Sequence, residues 1–136
     1  MKDNFKQERV NLAAAFRWAA RLNMHEAIAN HFSLAVSDDG SQFLLNPIGM
    51  HFSQICASDL LLLDSNNAET MSQPNAPDAT AWAIHGAIHR NNLHARCILH
   101  VHSKYATILS CLEDKTMKPI DQNTMRFYEK VSIDYD

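Results

Sequence analysis

A short segment in which apolar and polar side chains alternate around a central turn, residues 31–46, constrains the fold of this chain most strongly. Residues 31–37 alternate as expected of a strand, and residues 42–46 can return beside them. Between the two lie Asp39 and Gly40, a pair typical of hairpin turns because glycine accepts the positive φ that such turns require. The segment therefore predicts an antiparallel hairpin, and a sheet at the centre of the fold.

The segments around the hairpin predict helices interspersed with further strands. The predicted helices cover residues 2–22, 80–91 and 103–112, and the predicted strands cover 60–64, 94–102 and the end of 125–136. Because the runs at 60–64 and 94–102 are largely apolar, we expect these two strands to be buried on both faces. A length of 136 residues suits one domain. The sequence thus predicts a single α/β domain, residues 1–136, whose sheet contains the hairpin and strands joined by helical crossovers.

Charge and hydropathy exclude several functional classes. The formal net charge is −3, which gives no basic field for nucleic acid or for an anionic membrane. No apolar run approaches the roughly 18 residues of a membrane span, and the first residues lack the apolar core of a signal peptide. We therefore expect a cytoplasmic protein with no nucleic-acid and no membrane partner.

The cysteines have no spacing typical of a disulfide framework. There are three, at positions 56, 97 and 111, which is an odd number. Cys56 and Cys97 lie among apolar residues in the sequence. This predicts buried, reduced thiols.

Two histidines separated by one residue, His100 and His102, are the strongest candidates for a functional site. Alternate side chains of a strand share a face, so these imidazoles would project together from Cβ atoms roughly 6 to 7 Å apart. Both Nε2 atoms could then approach one ion, about 2.0 to 2.1 Å from each. The pair predicts half of a site for zinc or another divalent metal, and a further ligand is needed to complete it. The alternative is a pair of histidines hydrogen-bonded to backbone or solvent.

These segments resemble the class II aldolase and adducin domain family, which includes zinc-dependent sugar-phosphate aldolases, a pentose-phosphate epimerase and the adducin head domain. The resemblance extends over nearly the whole chain, through the first helix, residues 30–64 and residues 84–109. It implies a three-layer α/β/α domain with a central mixed or antiparallel sheet, of which this chain is the front portion. It also implies that His100 and His102 are two of three zinc ligands, the third belonging to a later strand. No histidine follows His102 in this sequence.

Several positions depart from the residues that the resemblance implies. Ala81 occupies the position of the catalytic glutamate of the aldolases, so the general base is missing. Ala79 and Thr80 occupy the positions of two serines that help to hold the substrate phosphate. His31 replaces a phosphate-binding asparagine, and Gly49 is kept from a threonine-glycine pair that also contacts phosphate. The resemblance thus implies substrate contacts at His31, Gly49 and Thr80.

Alternatives remain open for the polar residues nearby. Asp78 could reach the place of the missing base, although its position just before a predicted helix favours a capping role. His85 and His89 are four residues apart on one helix face and could form a second ligand pair. The resemblance favours packing beneath the sheet for His85.

Two functions are compatible with these residues. The first is a metal-dependent lyase or enolising enzyme that acts on a small hydroxylated carbonyl compound or sugar phosphate, where the metal supplies an electrophile and a carboxylate the base. The second is a non-catalytic binding or assembly module like the adducin head, which Ala81 favours. Family members are commonly tetramers, so the resemblance also implies a homo-oligomer.

Overall fold

The predicted hairpin lies in the middle of a sheet in this structure, a computed structural model that describes residues 4–134. Strand β1 (His31–Ala35) pairs with β2 (Gln42–Leu45) in antiparallel register. In the turn between them Gly40 has a φ of 71°, and a Cβ at this position would collide with the backbone carbonyl of His89. The turn therefore needs glycine both for its conformation and for its close approach to a helix.

The chain divides between Ser103 and Lys104 into two units, which are described separately. The other elements of the first unit are α1 (Lys6–Arg21), β3 (Leu61–Asp64), a 3₁₀ turn (Thr70–Ser72), α2 (Ala79–Asn91) and β4 (Cys97–His100). The strand order is β3-β2-β1-β4, and each neighbouring pair is antiparallel. The helices predicted over 2–22 and 80–91 are confirmed as α1 and α2, and residues 2 and 3 lie outside the described part of the chain. None of the helices described between residues 4 and 134 is long and apolar enough to cross a membrane.

The two helices of this unit cover opposite faces of the sheet, which gives the expected α/β/α layers. On one face, Phe16 of α1 packs against Phe32 and Leu44. On the other, Ala81 of α2 packs against Phe43. Because consecutive strand residues point to opposite faces, β2 contributes to both contacts. Fully burying a Phe or Leu side chain contributes about 1.5 to 3 kcal/mol, so these two layers form the core that fixes the sheet.

The polar side chains of β1 point toward α2 and are buried as well. His31 is 5% exposed and Ser33 is 0% exposed. Helix α2 presents His85 and His89 to them, and these side chains are 0% and 1% exposed. The packing predicted for His85 is confirmed. The alternation in β1 therefore separates an apolar buried face from a polar buried face, and the polar face is the one that builds the site.

The prediction that the strands at 60–64 and 94–102 are buried on both faces is wrong. Among the described residues they form the two edges of the sheet, where Leu62 and Leu99 are 39% and 53% exposed. A helix is about 10 Å wide and strands lie about 4.8 Å apart, so α1 covers the two central strands alone. Apolar runs of this kind do not reveal how far a neighbouring helix extends across a sheet.

The cysteines are free, as predicted, but the expectation of buried thiols is wrong. Cys56, Cys97 and Cys111 are all exposed. Cys97 lies on β4, two residues before Leu99, and therefore belongs to the same uncovered strip of the sheet.

Within residues 104–134 the second unit contains α3 (Lys104–Ser110) and α4 (Gln122–Met125). Helix α3 confirms the helix predicted over 103–112. The last strand predicted within 125–136 is wrong for the described residues, since 126–134 contain no strand, and the final two residues lie outside the described part. An extended segment needs a pairing partner to form a strand, and the described part of this unit contains none.

Candidate functional site

Strands β1 and β4 bring together two histidines that lie far apart in the sequence. His31 starts β1 and lies directly opposite His100, the last residue of β4. The Nδ1 atom of His100 is 3.0 Å from the Nε2 atom of His31, and the ring centroids are 4.3 Å apart. The sheet register therefore joins a residue expected to contact substrate to a residue expected to bind metal.

His102 lies beyond the end of β4, yet its imidazole meets that of His100. Their Nε2 atoms are 3.2 Å apart, and the rings are nearly perpendicular at 84°. On its other side, Nδ1 of His102 donates a hydrogen bond to Oε2 of Glu26 at 2.6 Å. The sequence gives no local signal for Glu26, because it precedes His102 by 76 residues in the loop after α1.

The row of contacts continues into the protein interior. Nδ1 of His31 is 2.6 Å from Nε2 of His85, whose Nδ1 contacts the hydroxyl oxygen of Ser33. The same hydroxyl oxygen lies 2.7 Å from Nε2 of His89. Finally, Nδ1 of His89 donates to the backbone carbonyl of Ala95 at 2.9 Å. His85 and His89 thus contact one serine on β1 and do not form a second ligand pair.

Burial keeps four histidines of this row neutral at pH 7, namely His31, His85, His89 and His100. Desolvation, together with the neighbouring imidazoles, lowers the pKa of His31 to about 4 and that of His85 to about 3. Desolvation also lowers the pKa of His89, and desolvation with the nearby His102 lowers the pKa of His100. A neutral imidazole has one donor nitrogen and one acceptor nitrogen, so each ring transmits a hydrogen bond in one direction.

A cavity of about 390 Å³ opens beside the outer end of the row. Its lining includes four of the predicted site residues, namely His31, Thr80, His100 and His102. The other predicted residue, Gly49, has a φ of 77° in the turn after β2, and its neighbour Ile48 supplies the lining there. The structure therefore places the two expected metal ligands and two of the three expected substrate contacts around one space.

Two residues at the start of α2 determine the chemistry of the cavity wall. Ala81 lines the cavity with a methyl group where the resemblance implies a glutamate. Asp78 also lines it, but its Oδ1 atom accepts a hydrogen bond from the backbone N–H of Ala81 at 2.9 Å. The capping role predicted for Asp78 is confirmed, and its carboxylate is held by the helix end.

The distance between the outer histidines fits two ligands of one metal ion. Ligands of a tetrahedral zinc ion, each about 2.0 to 2.1 Å from it, lie roughly 3.3 to 3.4 Å apart. The two Nε2 atoms are 3.2 Å apart. Within residues 4–134, however, no three His, Cys, Asp or Glu side chains converge on one point. The described residues therefore bring together two side chains at a separation that would suit two ligands of one ion.

The fold and this histidine arrangement define a class of protein, and comparisons with known proteins identify it. The chain belongs to the class II aldolase and adducin family, since residues 10–136 match the Class II Aldolase and Adducin N-terminal domain.

Individual relatives agree with this assignment. A Pseudomonas aeruginosa protein provisionally named a class 2 aldolase is 29% identical over 138 residues, which cover 96% of this chain and 52% of the relative. An adducin-related protein of Schizosaccharomyces pombe is 33% identical over 113 residues, covering 77% of this chain and 34% of that protein. The chain spans about half the length of the first of these curated relatives and a third of the second.

A solved structure has the same fold. The L-fuculose 1-phosphate aldolase from Glaciozyma antarctica superposes with a TM-score of 0.75 at 26% identity, over 89% of this chain and 49% of that one. The three-layer architecture derived from the packing of α1 and α2 is therefore that of the class II aldolases.

Proposed function

We propose that His100 and His102 bind a divalent metal ion, zinc in the first instance, as part of a class II aldolase-type site. The observation that supports this most directly is the distance of 3.2 Å between their Nε2 atoms, at the edge of a cavity. Class II aldolases generally depend on a divalent metal, which agrees with this proposal. Since the described residues supply two ligands, a third has to come from elsewhere, and a neighbouring copy in a homo-oligomer is one source.

Residues around the two ligands would hold them in place. Glu26 accepts from Nδ1 of His102, and His31 contacts Nδ1 of His100, so each ligand is supported at the nitrogen that faces away from the other. Such contacts fix the orientation of metal-bound imidazoles in proteins. When bound, the ion would supply a Lewis acid toward a carbonyl oxygen of the substrate.

The substrate that fits this site is a small hydroxylated carbonyl compound or a sugar phosphate. The cavity volume of about 390 Å³ is within the range of small-molecule sites. His31, Thr80 and, on the resemblance, Gly49 would contact the substrate. The related L-fuculose 1-phosphate aldolase acts, by its name, on a sugar phosphate. We therefore propose aldol-cleavage or enolisation chemistry as the reaction class.

A zinc-binding measurement tests the metal site. Equilibrium dialysis with zinc should show binding to the full chain and its loss in the double variant His100→Ala, His102→Ala. His94→Ala is the matched control, because His94 is an exposed histidine on the same segment. Equal zinc binding by the double variant and the wild type would refute the proposed ligands.

A non-catalytic binding or assembly role is the second candidate, and Ala81 favours it. The cavity wall offers a methyl group at the position of the base, and the Asp78 carboxylate is held in the helix cap. The adducin-related relative shows that the family includes proteins of that name. An Ala81→Glu variant assayed with a panel of ketose phosphates separates the candidates. Activity in the wild type supports the enzyme, whereas activity in the variant alone supports a scaffold that lacks its base.

A further inference from the structure

We infer that Ser33, His85 and His31 form a positioning chain that fixes the tautomer of His100, so that the Nε2 lone pair of His100 faces that of His102. This inference rests on the proposed metal site, because its consequence is a pair of metal ligands prepared before the ion arrives. The residues of the chain act through His100 and are positioning residues.

At the inner end of this positioning chain, the hydrogen bonds can run in one direction only. The Ala95 carbonyl accepts hydrogen bonds and cannot donate, so Nδ1 of His89 carries the proton in their 2.9 Å contact. Because burial lowers the pKa of His89, the ring is neutral and its Nε2 is an acceptor. The Ser33 hydroxyl, 2.7 Å away, must therefore donate its proton to His89.

This assignment passes outward along the row. Since the Ser33 proton points to His89, the Ser33 oxygen accepts from Nδ1 of His85. Nε2 of His85 is then an acceptor for Nδ1 of His31, at 2.6 Å. By the same step, Nε2 of His31 accepts from Nδ1 of His100, at 3.0 Å. His100 is left with its proton on Nδ1 and a lone pair on Nε2.

The outer end gives the same result for His102. In the neutral form that a metal ion requires of an imidazole ligand, His102 has one proton, and a carboxylate oxygen of Glu26 accepts it from Nδ1, so that Nε2 has the lone pair. Two lone pairs then face each other across 3.2 Å. Two acceptors at this distance repel unless a cation lies between them, and this is the arrangement that a metal ion requires of neutral imidazole ligands.

The reverse direction is disfavoured because of His89. If Nε2 of His100 carried the proton, each ring inward would have to reverse, and Ser33 would donate to His85. The Ser33 oxygen would then face Nε2 of His89, which could satisfy the contact only as a buried imidazolium. Burying a charged group at 1% exposure without a carboxylate partner is costly. The Ala95 carbonyl therefore determines, through the hydrogen bonds of the row, which nitrogen of His100 is protonated.

Ser33→Ala tests the inference because it removes the one link that fixes the direction. Without the hydroxyl, His85 and His31 can reverse, and His100 can place its proton on Nε2, where it would donate to His102. Ser65→Ala is the matched control. Ser65 is also buried, at 8% exposure, but its hydroxyl has no hydrogen-bond partner among the described residues.

The first readout is the tautomer of each histidine, measured on the zinc-free full chain by two-bond ¹H–¹⁵N correlation of the imidazoles above pH 7. The wild type and Ser65→Ala should show protonated Nδ1 at His31, His85 and His100. In Ser33→Ala, the proton of His100 should move to Nε2. A wild-type spectrum with the proton on Nε2 of His100 would overturn the inference, and this result does not depend on whether Ser33→Ala folds.

The second readout is zinc affinity, measured by competition with a chromogenic chelator. Loss of an outer support of a metal ligand typically weakens binding about 10- to 100-fold, so Ser33→Ala should lose about tenfold and Ser65→Ala nothing. Equal affinity and an unchanged His100 tautomer in Ser33→Ala would refute the positioning role while leaving the metal site intact. If the wild type shows the inferred tautomers but does not bind zinc, the metal site is refuted and the positioning chain is supported.

Discussion

The row of histidines has a closed end and an open end, and the two differ in how their ring nitrogens are satisfied. At the closed end, His85 and His89 are buried, and both nitrogens of each ring have hydrogen-bond partners. At the open end, His100 and His102 line a cavity, and their Nε2 atoms have each other as neighbours. The difference indicates that the two ends have different roles. The closed end stabilises the fold and sets the direction of the hydrogen bonds, and the open end is where we propose that a metal ion binds.

The largest expected effect is the loss of stability when the closed end is opened. His85→Ala removes a fully buried ring, so that the Ser33 oxygen loses the donor it accepts from and Nδ1 of His31 loses its acceptor. The free energy of unfolding should fall by about 3 kcal/mol, from the cavity and from the unpaired polar groups together. Urea denaturation of the zinc-free chain measures this change.

The matched substitution at the open end should cost much less. His102→Ala removes a side chain that is 37% exposed, and a change of under about 1 kcal/mol is expected. Equal losses for the two variants would contradict the distinction between the two ends.

The next effect is a loss of stability in acid. The ordinary pKa of 6.5 applies to His85 in the unfolded chain, whereas in the folded protein desolvation and the nearby rings of His31, His89 and His100 lower its pKa to about 3. Between these values the unfolded chain binds a proton that the folded chain does not. Stability contributed by neutral His85 is therefore complete above pH 6.5 and decreases as the pH falls toward 3.

The size of this effect can be measured by urea denaturation at two pH values. One such group changes the free energy of unfolding by about 1.4 kcal/mol per pH unit below pH 6.5, so His85 contributes a decrease of about 2 kcal/mol between pH 7.5 and pH 5, and the lowered pKa of His31 adds to it. His85→Phe, which cannot titrate, should show a shallower dependence. A wild-type stability that is constant over this range would show that the closed end accepts protons, contrary to its assigned neutrality.

A smaller effect is expected at the open end, on metal affinity. Glu26→Ala removes the acceptor of His102 Nδ1 and frees that ring to rotate or change tautomer. Zinc binding should weaken about tenfold. Because the Glu26 side chain is 66% exposed, the free energy of unfolding should change by less than about 1 kcal/mol. Glu69→Ala, at another exposed glutamate, serves as the control. Equal zinc affinity in both variants would show that Glu26 does not support the metal ligand His102.

The features predicted correctly from the sequence are those that depend on neighbouring residues. Gly40 identifies the hairpin because its positive φ is a property of the turn itself. The separation of His100 and His102 by one residue is enough to bring their rings together, although the strand ends between them. Asp78 could be predicted as a cap because capping involves residues three apart.

The features that the sequence does not reveal depend on how distant elements pack. Glu26 reaches His102 across 76 residues, and no periodicity marks such a contact. Ser33 is an ordinary polar residue of an alternating strand until α2 places two histidines against it. The exposure of Leu62 and Leu99 likewise depends on the width of α1 relative to the sheet. In each case the missing information is which surface covers the residue.

A comparison of Ser33 with Ser65 distinguishes hydrogen bonding from burial at the closed end. Ser33 and Ser65 are both buried, but Ser33 bonds two imidazoles, whereas the hydroxyl of Ser65 has no partner in the described part of the chain. Ser33→Ala should lower the free energy of unfolding by about 2 kcal/mol, because it leaves a donor and an acceptor unpaired. Ser65→Ala should change it by less than about 0.5 kcal/mol, since the lost hydroxyl contributes no hydrogen bond. Equal losses in urea denaturation would mean that the closed end is stabilised by packing alone. The direction assigned to its protons would then have no energetic basis, because a hydroxyl that contributes no bond energy cannot determine which nitrogen of His85 is protonated.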